Sequence, residues 1–205
     1  MNYPSKHIAD SVAEFKKLPG IGEKTALRLV LHLLKQETAK VEQFSSVISA
    51  MRLGIKFCSI CHNVSDADIC SICSNTMRDQ SMVCVVESLR EVIAIENTGV
   101  YQGTYHVLGG LISPIDGVGP DELNINSLVK RIQLGEVREV IMALSPTMDG
   151  DTTIFYVSKK IQPFNIKVTS IARGVSFGGE LEYTDELTLA RSIATRLPYE
   201  SYLVK

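Results

Sequence analysis

No stretch of this chain reaches the roughly 18 to 20 consecutive apolar residues that a membrane-spanning helix needs, so a spanning role is set aside. The N-terminal stretch MNYPSKHIADSVAEF lacks the apolar core and small-residue cleavage site of a secretory signal, and the expected compartment is the cytoplasm. There is no GxxxxGK(S/T) run, which argues against a Walker-type phosphate loop, and no defensible serine–histidine–acid arrangement. Internal repeats and low-complexity segments are absent as well. Cysteine is missing everywhere except residues 58–84, and the net charge of −2 taken alone speaks weakly against nucleic acid. The 205 residues suffice for one large domain or two small ones.

The distribution of charge is more informative than its sum. Residues 1–60 carry nine Lys/Arg against five Asp/Glu, whereas residues 61–205 carry twelve against eighteen. An electropositive footprint therefore belongs to the N-terminal segment.

Four of the five cysteines, Cys58, Cys61, Cys70 and Cys73, follow the pattern Cys-x2-Cys-x8-Cys-x2-Cys. In a reducing compartment, paired CxxC units favour metal over disulfide. Four soft thiolates suit one tetrahedral zinc ion, with an iron–sulfur cluster as the alternative of like ligand chemistry. The intervening residues are too polar to form a core, so a bound metal is the expected source of local stability. With all four positions protein-filled, the site is structural. His62 is read as a neighbour of the ligands rather than one of them, and Cys84, in the apolar run MVCVVE, as a buried strand residue.

Upstream, periodicity predicts helices over residues 6–17, 23–34 and 40–53, which should pack on one another. Between the first two lies Leu18-Pro-Gly-Ile-Gly-Glu-Lys-Thr-Ala26, resembling a helix-hairpin-helix turn. Small residues at Gly20 and Gly22 let the backbone approach a phosphate, and the first N–H groups of the next helix point at it. Lys24 and Arg28, four apart, share a face and can neutralise phosphates without reading bases.

Beyond the cysteines, short apolar strands (82–88, 104–110, 137–144, 166–172) alternate with helices (88–99, 124–133, 152–162, 185–196). That alternation predicts an α/β layer with a mostly parallel sheet over about 80–200. Glu87 ends the first strand, and Asp149 and Asp151 are expected in a loop, SPTMDGD, after the third. All three then fall at strand C-terminal ends, where carboxylates can hold magnesium or simply cap the following helix. The run from Arg173 to Tyr183, with three glycines and aromatics at Phe177 and Tyr183, reads as a shaped loop or an interface.

Taken in order, LPGIGEKTALRLVLHLL, the four cysteines, VVE, GTYHVLGGLISPIDGVGP, LSPTMDGDTT and IARGVSFGGELEYTDELTLARSIATR resemble the bacterial recombination mediator family RecR over essentially the whole chain. The resemblance implies a multi-domain α/β protein. Its parts are a helix-hairpin-helix region over 1–55, a four-cysteine zinc finger over 56–77, a Toprim α/β domain over 78–173, and a C-terminal assembly segment with a Walker-B-like stretch and short helix over 174–205. It further implies one structural zinc per chain on the four cysteines, DNA contacts through Lys24 and Arg28, and self-association into dimers and ring-like tetramers. RecO and RecF are the implied partners in loading recombinase onto single-stranded DNA at gaps, in the cytoplasm at the nucleoid. Glu87 matches the Toprim glutamate, and Asp149 and Asp151 the acidic pair, serving partner binding rather than turnover, with magnesium as a further option. Asp149 stands where the family often has Glu. The zinc knuckle is expected to stiffen the join between helical region and α/β domain. A magnesium-dependent nuclease or primase, and an interaction module that never touches DNA, are the competing readings.

Overall fold

The computed structural model describes residues 3–175 and 178–198. Residues 176–177 of the glycine-rich loop, including Phe177, and residues 199–205 of the expected assembly segment lie outside the described residues. The chain divides into two compact units, residues 1–55 and 56–205.

In the first unit, α1 (Lys6–Lys16) and α2 (Glu23–Leu34) form a helical hairpin. Apolar residues three and four apart put Val12 of α1 against Ala26 and Val30 of α2, all buried, with Ile8, Phe15, Ile21 and Leu27 packed round them. Gly20 adopts φ +77°, a left-handed conformation that glycine takes at least cost, and Ile21 N–H closes the turn on Leu18 O at 3.1 Å. A third helix, α3 (Thr38–Gly54), has no buried residue. Its apolar Phe44, Ile48 and Met51 are about half exposed. The expected mutual packing of three helices thus describes α1 and α2, whose apolar faces are used on each other.

The second unit opens with an antiparallel ribbon of β1 (Lys56–Phe57) and β2 (Val64–Ser65). Then follow β3 (Asp79–Val86), α4 (Leu89–Glu96), β4 (Gly103–Val107), α5 (Ile125–Gln133), β5 (Glu139–Ala143), α6 (Met148–Ile161), β6 (Lys167–Ser170) and α7 (Glu186–Ala194). The four long strands pair in parallel, in the order β4-β3-β5-β6. Alternation along β3 sends Val83 and Val85 into one core with Val140, Met142, Leu128, Ile132, Val157 and Ile161. Cys84 and Val86 point into the other, with Val92, Tyr105 and Ala143. Helices α5 and α6 therefore cover one face, and α4 the other, as a parallel sheet requires. Arg78, where the chain enters β3, forms a bidentate ion pair with Glu96 of α4. Glu96 also accepts the Tyr105 hydroxyl at 2.7 Å.

One boundary corrects the sequence reading. Asp149 and Asp151 do not lie in a loop; they occupy the first turn of α6. Thr147 supplies the reason, since its hydroxyl accepts the Gly150 N–H at 3.1 Å and caps the helix. Acidic residues in that turn are also favoured by the helix dipole. Gly150 is buried, and a β-carbon there would overlap the backbone of Ser145. We expect Gly150→Ala to destabilise the α/β unit by about 1–3 kcal/mol. Thermal melts followed by near-UV circular dichroism test this, and an unchanged midpoint would refute it.

Candidate metal centre, acidic edge and basic helix

The two CxxC turns are built alike. His62 N–H donates to Cys58 O at 2.9 Å in the first, and Ser74 N–H to Cys70 O at 3.0 Å in the second. His62 takes φ 61°, which closes the first turn. The ligand atoms of Cys58, Cys61, Cys70 and Cys73 all lie within 4.8 Å of one another. The Cys61 and Cys70 sulfurs are 3.6 Å apart, near the ~3.8 Å edge of a tetrahedron with zinc–sulfur bonds of about 2.3 Å.

Amide donors aim at the sulfurs: Cys70 N–H at Cys58 Sγ, 3.3 Å, and Cys73 N–H at Cys70 Sγ, 3.4 Å. Burial pushes the Cys58 thiol up, but the backbone N–H groups of Cys70, Cys61 and Ile60 outweigh it and bring it down to about 7. Contact with the Cys73 sulfur, and then burial, push Cys61 far up, and burial raises Cys70. Four thiolates so close repel one another, and a soft dication removes that repulsion. The donor set therefore fits zinc, which would supply a cross-link between the two turns and no open coordination position. Cys84, by contrast, is a buried strand residue whose thiol burial pushes up to about 12.

The knuckle belongs to the second unit and docks on its sheet. Val107 N–H of the edge strand β4 donates to Cys61 O at 2.8 Å, and Ile72 packs against the core containing Cys84 and Tyr105. A polar junction, not read from the sequence, adds to this. Ser127 Oγ–H donates to Asn124 O at 2.8 Å, so it accepts from His62 Nε2–H, also at 2.8 Å. His106 Nε2–H donates to the same Asn124 carbonyl at 2.8 Å. Both imidazoles thus carry the Nε2 proton, and their rings meet edge to face at 5.3 Å. His62 is spent on this junction and does not join the sulfur cluster. His106 is fully buried, with Nδ1 lacking a hydrogen-bond partner among the described residues.

The acids flank the point where the strand order reverses, after β3 and β5. Glu87 accepts from Ser145 Oγ at 3.0 Å. Asp151 is paired with two arginines: Arg173, just after β6, through Nη1 at 2.6 Å, and Arg191 of α7 through Nη2 at 3.5 Å. A cavity of about 460 Å³ lies there, lined by Leu144, Pro146, Ile171, Leu187 and both arginines. Asp149 is half-buried, and among the described residues its carboxylate has no partner. The four cysteines are the only group of three or more ligating side chains gathered this closely among the described residues; the three carboxylates are not. Sequence reasoning singled out the Arg173 loop but found no link to Asp151, because the pairing is not local.

On α2, Lys24 and Arg28 are exposed. The helix starts at a Gly22 N-cap with no side-chain cap. Both cations therefore stand in solvent on the helix that follows the Gly20 turn.

A four-cysteine knuckle on a parallel Toprim-like sheet, with a helix-hairpin-helix unit ahead of it, defines a class of DNA-transacting protein. Family models agree segment by segment. Residues 8–52 match the RecR helix-hairpin-helix, 55–75 the RecR four-cysteine zinc finger domain, 81–172 the Toprim domain and 174–196 the RecR C-terminal segment. Recombination protein RecR of Phocaeicola vulgatus is 58% identical over 194 residues, covering 95% of each chain. That of Cytophaga hutchinsonii is 54% identical over 202 residues, 98% of each chain. That of Flavobacterium johnsoniae is 56% identical over 200 residues, 98% of this chain and 97% of its own. The chain belongs to the RecR family, as the sequence resemblance implied. Among the described residues, no helix is long and apolar enough to cross a membrane.

Two outcomes follow from this geometry. Chelation of the metal, or Cys58→Ser, is expected to lower the melting midpoint of the whole α/β unit, with zinc near one ion per chain beforehand by elemental analysis. A stable, folded preparation holding far less zinc would refute the structural role. The second concerns pH. Burial, with Arg131 and His62 adding to it and the Asn124 contact opposing it, lowers the His106 pKa from 6.5 to about 3. The unfolded chain therefore binds the extra proton first, and stability falls as pH drops below 6.5, by at most about 1.4 kcal/mol per unit. In zinc-replete buffer, denaturant titrations of His106→Gln, which keeps an Nε2 donor, should show a flatter slope between pH 5 and 6.5. An unaltered slope would count against this assignment.

Proposed function

We propose that this chain is a non-enzymatic, DNA-binding recombination mediator in recombinational repair, acting in the cytoplasm at the nucleoid. Lys24 and Arg28 contact DNA phosphates, single- or double-stranded. Cys58, Cys61, Cys70 and Cys73 hold one structural zinc. The acidic edge of Glu87, Asp149 and Asp151 engages a partner, RecO, with RecF acting alongside, to help load recombinase on single-stranded DNA at gaps. The segment 174–205 mediates self-association into a dimer or a ring-like tetramer.

The observation that carries the DNA reading is the exposed pair Lys24 and Arg28, which has no acidic partner among the described residues although Glu23 precedes it, on a helix that begins at an uncapped glycine turn. Donors of that kind grip phosphate without reading bases. Curated relatives bearing the name Recombination protein RecR support the repair role. The pairing of Asp151 with Arg173 and Arg191 supports a protein-binding edge over a magnesium-dependent nuclease or primase, because two guanidinium groups already neutralise one of the three acids.

In salt-titrated binding to labelled DNA, the Lys24→Ala, Arg28→Ala double variant should bind at least several-fold more weakly and show a shallower log K against log[salt] slope. Unchanged affinity and slope would sink the phosphate role. Magnesium-dependent cleavage or synthesis that disappears in Asp149→Asn, Asp151→Asn protein would sink the non-enzymatic reading.

A further inference from the structure

Helix α2 carries more positive charge on one side than the two cations of the hairpin motif. From Lys24 to Gln36 there is no acidic residue, and three cations, Lys24, Arg28 and Lys35, fall in that run with His32. At about 100° per residue, Lys24, Arg28 and Lys35 lie within an arc of about 40°, with His32 about 40° further round. Lys35, the C-cap residue, keeps helical backbone geometry, so the row continues to the helix end. The row runs opposite the buried side marked by Ala26 and Val30.

Three other lysines of the unit are paired with acids. Lys16 is held by Glu23 at 3.5 Å, Lys17 by Glu14 at 2.7 Å and Lys40 by Glu37 at 3.8 Å. Lys24, Arg28 and Lys35 have no acidic partner among the described residues. Together with Leu27, Leu31 and His32 they line one open depression of about 460 Å³. Its composition, cations beside the exposed Leu31 and the partly buried Leu27, suits the sugar–phosphate backbone of a nucleic acid strand: charge for the phosphates, apolar surface for the sugars.

We propose that α2 is a continuous phosphate track, in which Lys35 and the His32 ring N–H extend the contact made by Lys24 and Arg28 along the whole helix. The track rests on the DNA-binding reading above and lengthens it. From Lys24 to Lys35 the helix rises about 16 Å. A duplex strand advances one phosphate per roughly 3.4 Å of axis while winding round it, so a straight row of this length meets about two or three neighbouring phosphates of one strand.

The test uses the full-length, zinc-loaded chain and fluorescein-labelled oligothymidine, with anisotropy titrations at several salt concentrations. Lys35→Gln should weaken binding several-fold and reduce the salt slope by about 0.7, the value for one lost single-strand phosphate contact. His32→Ala should weaken binding without that change in slope at pH 8. Lys40→Gln, a paired lysine on α3, should leave slope and affinity near wild type. If Lys35→Gln behaves like wild type while Lys24→Gln with Arg28→Gln binds weakly, the track is wrong and the two-point contact stands. If Lys40→Gln lowers the slope as much as Lys35→Gln, the effect is bulk charge and the track is likewise wrong. If no variant changes binding, the DNA reading itself fails and the track falls with it. Lys35 is exposed, so melting midpoints should stay at wild type throughout, and a shifted midpoint for Lys35→Gln would overturn its assignment as a binding residue.

Discussion

A parallel sheet has two apolar faces, and both must be kept from water. In this chain one face is served by α5 and α6, which together supply most of the larger core. Among the described residues the other is covered by the two-turn helix α4, with Val92 buried and Ile95 beside it. The zinc knuckle adds to that cover. Ile72 packs on the second face and the Cys61 carbonyl takes up an amide of the edge strand β4. A polar segment that cannot form its own core thus becomes part of the cover of another. The metal centre is integral to the α/β unit rather than a separate bead.

Much of this was legible from residues alone. The limits of α2 were readable from a glycine turn followed by apolar residues at helical spacing, and the knuckle from its four cysteines. The sheet followed from apolar runs alternating with amphipathic ones. What failed was local in two cases and distant in the others. SPTMDGD carries the residues of a turn, yet Thr147 was available as a helix cap and converts the second half of that run into the start of α6. The β1–β2 ribbon has only two residues per strand, too few for any period to show. The pairing of Asp151 with Arg173 and Arg191 and the His62–Ser127–His106 junction join residues far apart in sequence, and no pattern along the chain encodes such a meeting.

The acidic edge is electrostatically uneven as a result. Three carboxylates expected at neighbouring strand ends suggest one negative site. Folding gives each a different environment: Glu87 beside a serine hydroxyl, Asp149 without a partner among the described residues, and Asp151 outnumbered by guanidinium groups. Neutralisation of Asp151 ties the C-terminal segment to α6 through partly exposed ion pairs, which salt weakens more than it weakens buried contacts. Cohesion at that end of the unit therefore depends on ionic strength more than the sheet interior does.

His62 shows a different kind of compromise. Its backbone sits where glycine would be most comfortable, while its ring makes the hydrogen bond that joins the knuckle to α5. Glycine there would ease the turn and abolish the contact; histidine keeps the contact and bears the conformational cost. Local preference and tertiary demand pull this residue in opposite directions, and the tertiary demand prevails. The position is a point of tolerated frustration in an otherwise consistent chain, placed where the metal-bound turn meets the sheet.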